Sequence, residues 1–184
     1  LAVDGFPLDY FPVRYPFFGV QTTVSGVGFN LAAAFSRLGN QVTFASLIGA
    51  DDNGSLARKA LAVEGVPDGL VLDRAGATAQ SVILYDPEGQ RQIHVDLKDI
   101  QNLRFPEEAA RKAIQGSDLA VLCNINFSRN LIPLAQAAGV PIATDVHALS
   151  ALDDDYNQDF MAAAEILFLS DECLPDAPGV VGKA

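Results

Sequence analysis

The fold of this chain is decided by Ser25-Gly26-Val27-Gly28-Phe29-Asn30-Leu31-Ala32, then Arg37-Leu38-Gly39, then Gly49-Ala50-Asp51-Asp52-Asn53-Gly54. Two glycines just ahead of a helix let the backbone approach a ligand closely, and the Asn that follows offers both a donor and an acceptor to hydroxyl-bearing molecules. A helix N-terminus adds free N–H groups. Leu31, Ala34, Phe35 and Leu38 recur at helical spacing, so a helix is predicted over 30–38 with Gly39 just past its end. Val42 to Ile48 then reads as a strand, 49–54 as a turn, and 55–64 as a second helix closed by Gly65. A dinucleotide fingerprint would need a third glycine where Leu31 stands, and an acid at the end of the next strand. Asp51 falls in the turn instead, which argues against a nicotinamide site.

Upstream, residues 1–23 carry Phe6, Tyr10, Phe11, Tyr15, Phe17 and Phe18 broken up by Pro7, Pro12 and Pro16, which disfavour helix. Extended chain or loop is expected there, its aromatics packed on a core, a partner subunit or a ligand. Downstream, apolar runs at 79–85 and 92–95 flank Asp86-Pro87-Glu88-Gly89, a tight reversal between antiparallel strands. Residues 106–114 begin with Pro and two acids and end before Gly116, which predicts a helix. Strand, helix, strand, helix, strand follow at 119–123, 128–138, 141–146, 159–164 and 166–169. That alternation predicts an α/β fold, a mostly parallel sheet flanked by helices, with ligands beyond the carboxyl ends of the strands.

The 184 residues, 49% hydrophobic and 19% charged, suit one packed domain. Twelve Lys plus Arg against 23 Asp plus Glu give a net charge of −11, which repels a phosphate backbone, so nucleic acid is not an expected partner. The apolar runs are strand-sized, far below the ~20 residues of a membrane span, and the N-terminus lacks the pattern of a secretion signal. A soluble cytoplasmic protein is expected, with no membrane partner. Two cysteines, Cys123 and Cys173, are too few for a disulfide framework and read as reduced thiols.

Taken together, SGVGFNLA, RLG and GADDNG resemble the N-terminal signature of the ribokinase-like (PfkB) carbohydrate kinases. TAQSVILYDPEGQRQI resembles that family's hairpin and LAVLCNIN a following core strand, so the resemblance runs over nearly the whole chain. It implies a ribokinase-like fold with lid elements at about 8–24 and 78–96, closing over the substrate and pairing with a second subunit's lid in a homodimer. It also implies ATP-dependent phosphorylation of a sugar hydroxymethyl group, with Mg²⁺ neutralising developing charge. Gly26, Gly28 and Asn30 would contact sugar hydroxyls, and Asn126, at the end of the 119–123 strand, would be a further substrate contact. Without a ligand, the glycines would be a helix-packing turn, Asn30 an N-cap, and the hairpin an ordinary surface feature. Alternatives are a nucleoside kinase on the same scaffold and a non-catalytic sugar-binding relative.

The chain departs from the family pattern at two places. The Gly-Ala-Gly-Asp run that carries the catalytic base is expected beyond Ala184, and the early substrate-binding Asp before Leu1, so the chain reads as cut at both ends. The "N-x-x-E" motif linked to Mg²⁺ should fall at Ser170-Asp171-Glu172-Cys173, where Ser and Cys hold its outer positions. No catalytic or metal-binding residue is therefore assigned. Asp145-Val146-His147 with Cys123 or Ser128 could make a nucleophile arrangement. The competing expectation places Cys123 inside a strand, Ser128 at a helix N-cap, and Asp145 on the ligand face. His94 reads as a surface or lid residue, and 153–155 as a solvated helix start.

Overall fold

The computed structural model describes residues 1–149, 151 and 154–170. Helix α1 (Val27–Arg37) leads to strand β1 (Ala45–Gly49), helix α2 (Asp52–Val63) and strand β2 (Leu70–Ala75). β1 and β2 pair in parallel, Ala45 opposite Leu70 and Leu47 opposite Leu72. The antiparallel hairpin β3 (Gln80–Tyr85) and β4 (Arg91–Asp96) follows in unbroken register. After a 3₁₀ turn at Ile100–Asn102 come α3 (Glu107–Ile114), β5 (Ala120–Val121), α4 (Asn126–Arg129), α5 (Ile132–Ala138), β6 (Ile142–Ala148), α6 (Gln158–Ala163) and β7 (Ile166–Ser170). β6 is central in a parallel β5-β6-β7 sheet.

The core explains the alternation. Leu47 and Ile48 are neighbours on β1, so their side chains leave opposite faces of the strand. Leu47 joins a large cluster with Phe105, Ala110, Phe127, Ile142, Val146 and Phe160. Ile48 joins a second cluster with Ala32 of α1, Leu61 of α2 and Val71 of β2. Both faces of β1 are thus buried, the arrangement expected of a parallel sheet with helices on either side.

Several boundaries differ from expectation, each for a local reason. α1 begins at Val27 rather than Asn30, because Gly26, at φ 116° and ψ 148°, takes the cap position in a conformation open to glycine. Asn30 is therefore not an N-cap; its backbone N–H already donates to Gly26 O at 2.9 Å inside the helix. α2 begins at Asp52 because Asp51 caps it, its carboxylate accepting from the Gly54 N–H. The helix expected over 128–138 is split, because Pro133 lacks an N–H and can stand only in a first turn, which restarts the helix as α5. Ser128 is not an N-cap: its hydroxyl donates to the carbonyls of Cys123 and Ile125 within the short α4. Cys123 lies two residues past β5, which is shorter than expected. β2 was not legible, its apolar content being only Leu70-Val71-Leu72 ahead of Asp73 and Arg74. Arg58 of α2 pins it, pairing with Asp68 at 3.0 Å and Asp73 at 2.8 Å.

At the other end of the chain, Val3 N–H donates to Tyr85 O and Tyr85 N–H to Leu1 O, extending the hairpin by a short parallel contact. Tyr10, Phe11, Tyr15, Phe17 and Phe18 are exposed. No helix among the described residues is long and apolar enough to cross a membrane.

Candidate substrate site

The glycine loop is placed by packing of α1 with β1, β2 and α2 through Phe29 and Ala32, which brings its first turn up to Cys123 just past β5. A Cβ built on Gly28 would stand 3.4 Å from Cys123 Sγ, just past β5, and 3.6 Å from the Phe44 ring. Cys123 in turn faces Asp145 of β6: burial, and then the Asp145 charge, push its thiol up to about 11. The first turn of α1 and the ends of β5 and β6 therefore meet at the strands' carboxyl ends, where such sheets bind ligands. A Cβ at Gly26 would meet nothing within 4 Å, so the space before α1 is open. Asn30 is exposed, and its amide donates only a long 3.5 Å contact to Ser25 Oγ, which leaves its hydrogen-bonding capacity for solvent or ligand.

Past Asp145 the backbone of β6 is irregular. The register with β7 shifts between Asp145 and Ala148, His147 has φ 58°, and its N–H donates to Asp145 Oδ1 at 2.8 Å. A non-glycine residue held in the left-handed region at a strand's carboxyl end is a mark of functional sites. Nothing in the amino-acid pattern could have announced it.

Asn126 stands apart from this group. Its backbone N–H donates to Gln101 Oε1, its amide donates to Gln101 O at 3.0 Å, and its oxygen accepts from Arg129 at 3.4 Å. It lines a groove of about 430 Å³ with Gln101, Asn102, Leu103, Arg104, Arg129 and Asn130, which includes no residue of α1. Arg129 also pairs with Asp159 and lies over the Tyr156 and Phe160 rings at 5.0 and 4.6 Å. So Gly26, Gly28 and Asn30 come together on one turn, while Asn126 is bound into the wall of a second groove.

The nucleophile arrangement gains no support from this geometry. A thiol raised to about 11 is protonated at neutral pH, and the Ser128 hydroxyl is engaged by two carbonyls. His94 is exposed on β4 opposite Val82. Among the described residues no cluster of three or more His, Cys, Asp or Glu stands together to hold a metal. Asp171, Glu172, Cys173 and Asp153 lie outside the described residues, as do the outer positions of the altered "N-x-x-E" region except Ser170.

Two parallel sheets, β1-β2 and β5-β6-β7, with helices alternating between their strands, a protruding antiparallel hairpin, and a glycine loop that enters a helix close to the carboxyl end of β5 define the class, a ribokinase-like fold. The chain belongs to the pfkB family carbohydrate kinases, whose family model matches residues 16–168. It is 30% identical over 149 residues to the ATP-dependent ribose-1-phosphate kinase of Halopiger xanaduensis, a match covering 79% of this chain and 49% of that one. The chain thus spans about half the length of the curated relative it matches. A microbiome-derived acarbose kinase superimposes with a TM-score of 0.79 at 28% identity, over 98% of this chain and 60% of that one. A ribokinase of Arabidopsis thaliana complexed with ribose and ATP superimposes with a TM-score of 0.71 at 18% identity, over 91% and 55%.

Proposed function

We propose that the protein transfers the γ-phosphoryl group of ATP to a hydroxymethyl group of a sugar. The observation that carries this reading is one turn at the start of α1: Gly26 faces open space, Gly28 packs against Cys123 just past β5, and the exposed Asn30 amide makes only a long contact to Ser25. Family membership supplies the reaction class. In this reading the open backbone at Gly26 admits the sugar closely, Gly28 contributes backbone to the same turn, and Asn30 donates to one hydroxyl and accepts from another. Asn126, held by Gln101 in the wall of the second groove, is in this reading a further substrate contact. Mg²⁺, when bound with ATP, would supply positive charge against the phosphate oxygens.

The β3–β4 hairpin and the 8–24 segment act as the lid, excluding water from the transfer. Val82, Ile83, Ile93 and Val95 are exposed on the hairpin, and the lid of a second copy would cover them. The test is ATP consumption by the full-length protein over a panel of sugars and nucleosides. Turnover that depends on one sugar supports the reading, turnover only with nucleosides transfers it to a nucleoside kinase, and intact ATP throughout overturns it.

A further inference from the structure

The GADDNG turn does something that composition alone does not reveal: it grips the base of the hairpin. Asp51 Oδ1 accepts from the Thr78 hydroxyl at 2.6 Å and from Gly54 N–H at 2.8 Å, and Oδ2 accepts from Thr78 N–H at 2.8 Å. The Thr78 oxygen in turn accepts from Gly49 N–H at 3.0 Å. One carboxylate and one hydroxyl thereby tie the end of β1, the start of α2 and the residue two before β3.

The glycines make this possible. A Cβ on Gly49 would lie 2.7 Å from Ala77 Cα, Ala77 C and Thr78 N, and one on Gly54 would lie 2.3 Å from Gly49 O. Backbone crosses backbone there with no room for a side chain. The returning strand is held at the same place, since both carboxylate oxygens of Asp99 accept from Gly76 N–H at 3.0 and 3.1 Å. Between these points the hairpin projects with every residue of β3 and β4 exposed except Leu84.

We propose that Asp51 and Thr78, supported by the Asp99–Gly76 bond, form the hinge clamp that sets the angle of the hairpin, and that Asp51 is a positioning residue for substrate retention. It rests on the kinase reading, in which the hairpin is the lid. Asp51 acts through Thr78 and the lid, without touching substrate. Charge-assisted bonds from a carboxylate to two N–H groups and a hydroxyl are among the stronger ones available, so the clamp fixes the lid's base, while farther along β3 the hairpin is paired with the Leu1–Val3 segment at Tyr85.

The test uses the full-length protein with Thr78→Val, which keeps the shape and deletes the hydroxyl, and Thr78→Ser, which keeps the hydroxyl. Asp51→Asn is the third variant. Two readouts are taken: hydrogen exchange of backbone amides in 80–96 against those in β6 and β7, and KM against kcat for the sugar. Thr78→Val and Asp51→Asn are expected to raise hairpin exchange about tenfold with β6 and β7 unchanged, and to raise KM about tenfold with kcat changing much less. Thr78→Ser should restore both. Hairpin exchange equal to the unmodified protein, or a rise spread equally over β1, β2, β6 and β7, overturns the clamp. If no sugar is turned over at all, the kinase reading fails, while the exchange data still decide whether Asp51 and Thr78 fix the hairpin. Selective exchange with unchanged KM overturns the role in substrate retention.

Discussion

Replacing Asn30 by Ala separates stability from binding with opposite signs. Asn30 is the fourth residue of α1, exposed, with one long contact from its amide to Ser25. Ala is favoured over Asn inside a helix by about 0.7 kcal/mol, and the 3.5 Å contact offsets little of that. At about 2–4 °C per kcal/mol for a chain of 150–250 residues, Asn30→Ala should raise Tm by about 1–3 °C. The same change leaves sugar hydroxyls without their partner, at about 1.5–3 kcal/mol, which is roughly a 10- to 100-fold rise in KM. Differential scanning fluorimetry and initial rates on the same preparation give both numbers. A higher Tm with unchanged KM would show that Asn30 is an ordinary helix residue, and would refute the reasoning that places substrate there.

Three further outcomes follow from the geometry. Cys123 has a folded-state pKa above its unfolded one, so its contribution is fully present below the unfolded value of about 8.5 and is lost as pH rises toward about 11. Denaturant unfolding should therefore show stability falling by about 3 kcal/mol over that window, and Cys123→Ala should flatten the fall. Gly54→Ala forces a Cβ to within 2.3 Å of a backbone oxygen and should cost about 3 kcal/mol, read as a lower urea midpoint; a loss under about 1 kcal/mol would contradict the close packing at Gly49. Phe105, 1% exposed and 6.5 Å from the Phe127 ring centroid, should cost about 3–5 kcal/mol on replacement by Ala.

Much of the fold was legible because its punctuation is chemical. Gly39, Gly65 and Gly116, expected just past helix ends, all have positive φ, and Asp86-Pro87-Glu88-Gly89 does reverse the chain, with the Asp86 carboxylate accepting from Glu88 and Gln90 N–H groups. The α/β alternation was legible for the same reason that both faces of β1 are buried. β2 escaped because three apolar residues carry no period, and its strand identity comes from pairing with β1. The candidate site was partly legible: glycines before a helix are a local signal, whereas the meeting of Gly28 with Cys123, 95 positions away, is a product of the fold. Asp51 was visible as a turn residue, yet its grip on Thr78 depends on a partner 27 residues distant. The strained His147 and the engagement of Asn126 by Gln101 likewise arise only from packing.

The most direct measurement is ATP consumption by the full-length protein, with and without Mg²⁺, across sugars and nucleosides, for the unmodified protein and Asn30→Ala. The account predicts Mg²⁺-dependent turnover stimulated by a sugar and lost at low sugar concentration in Asn30→Ala. ATP left intact with every candidate, or consumed at a rate indifferent to both sugar and Asn30, would contradict it.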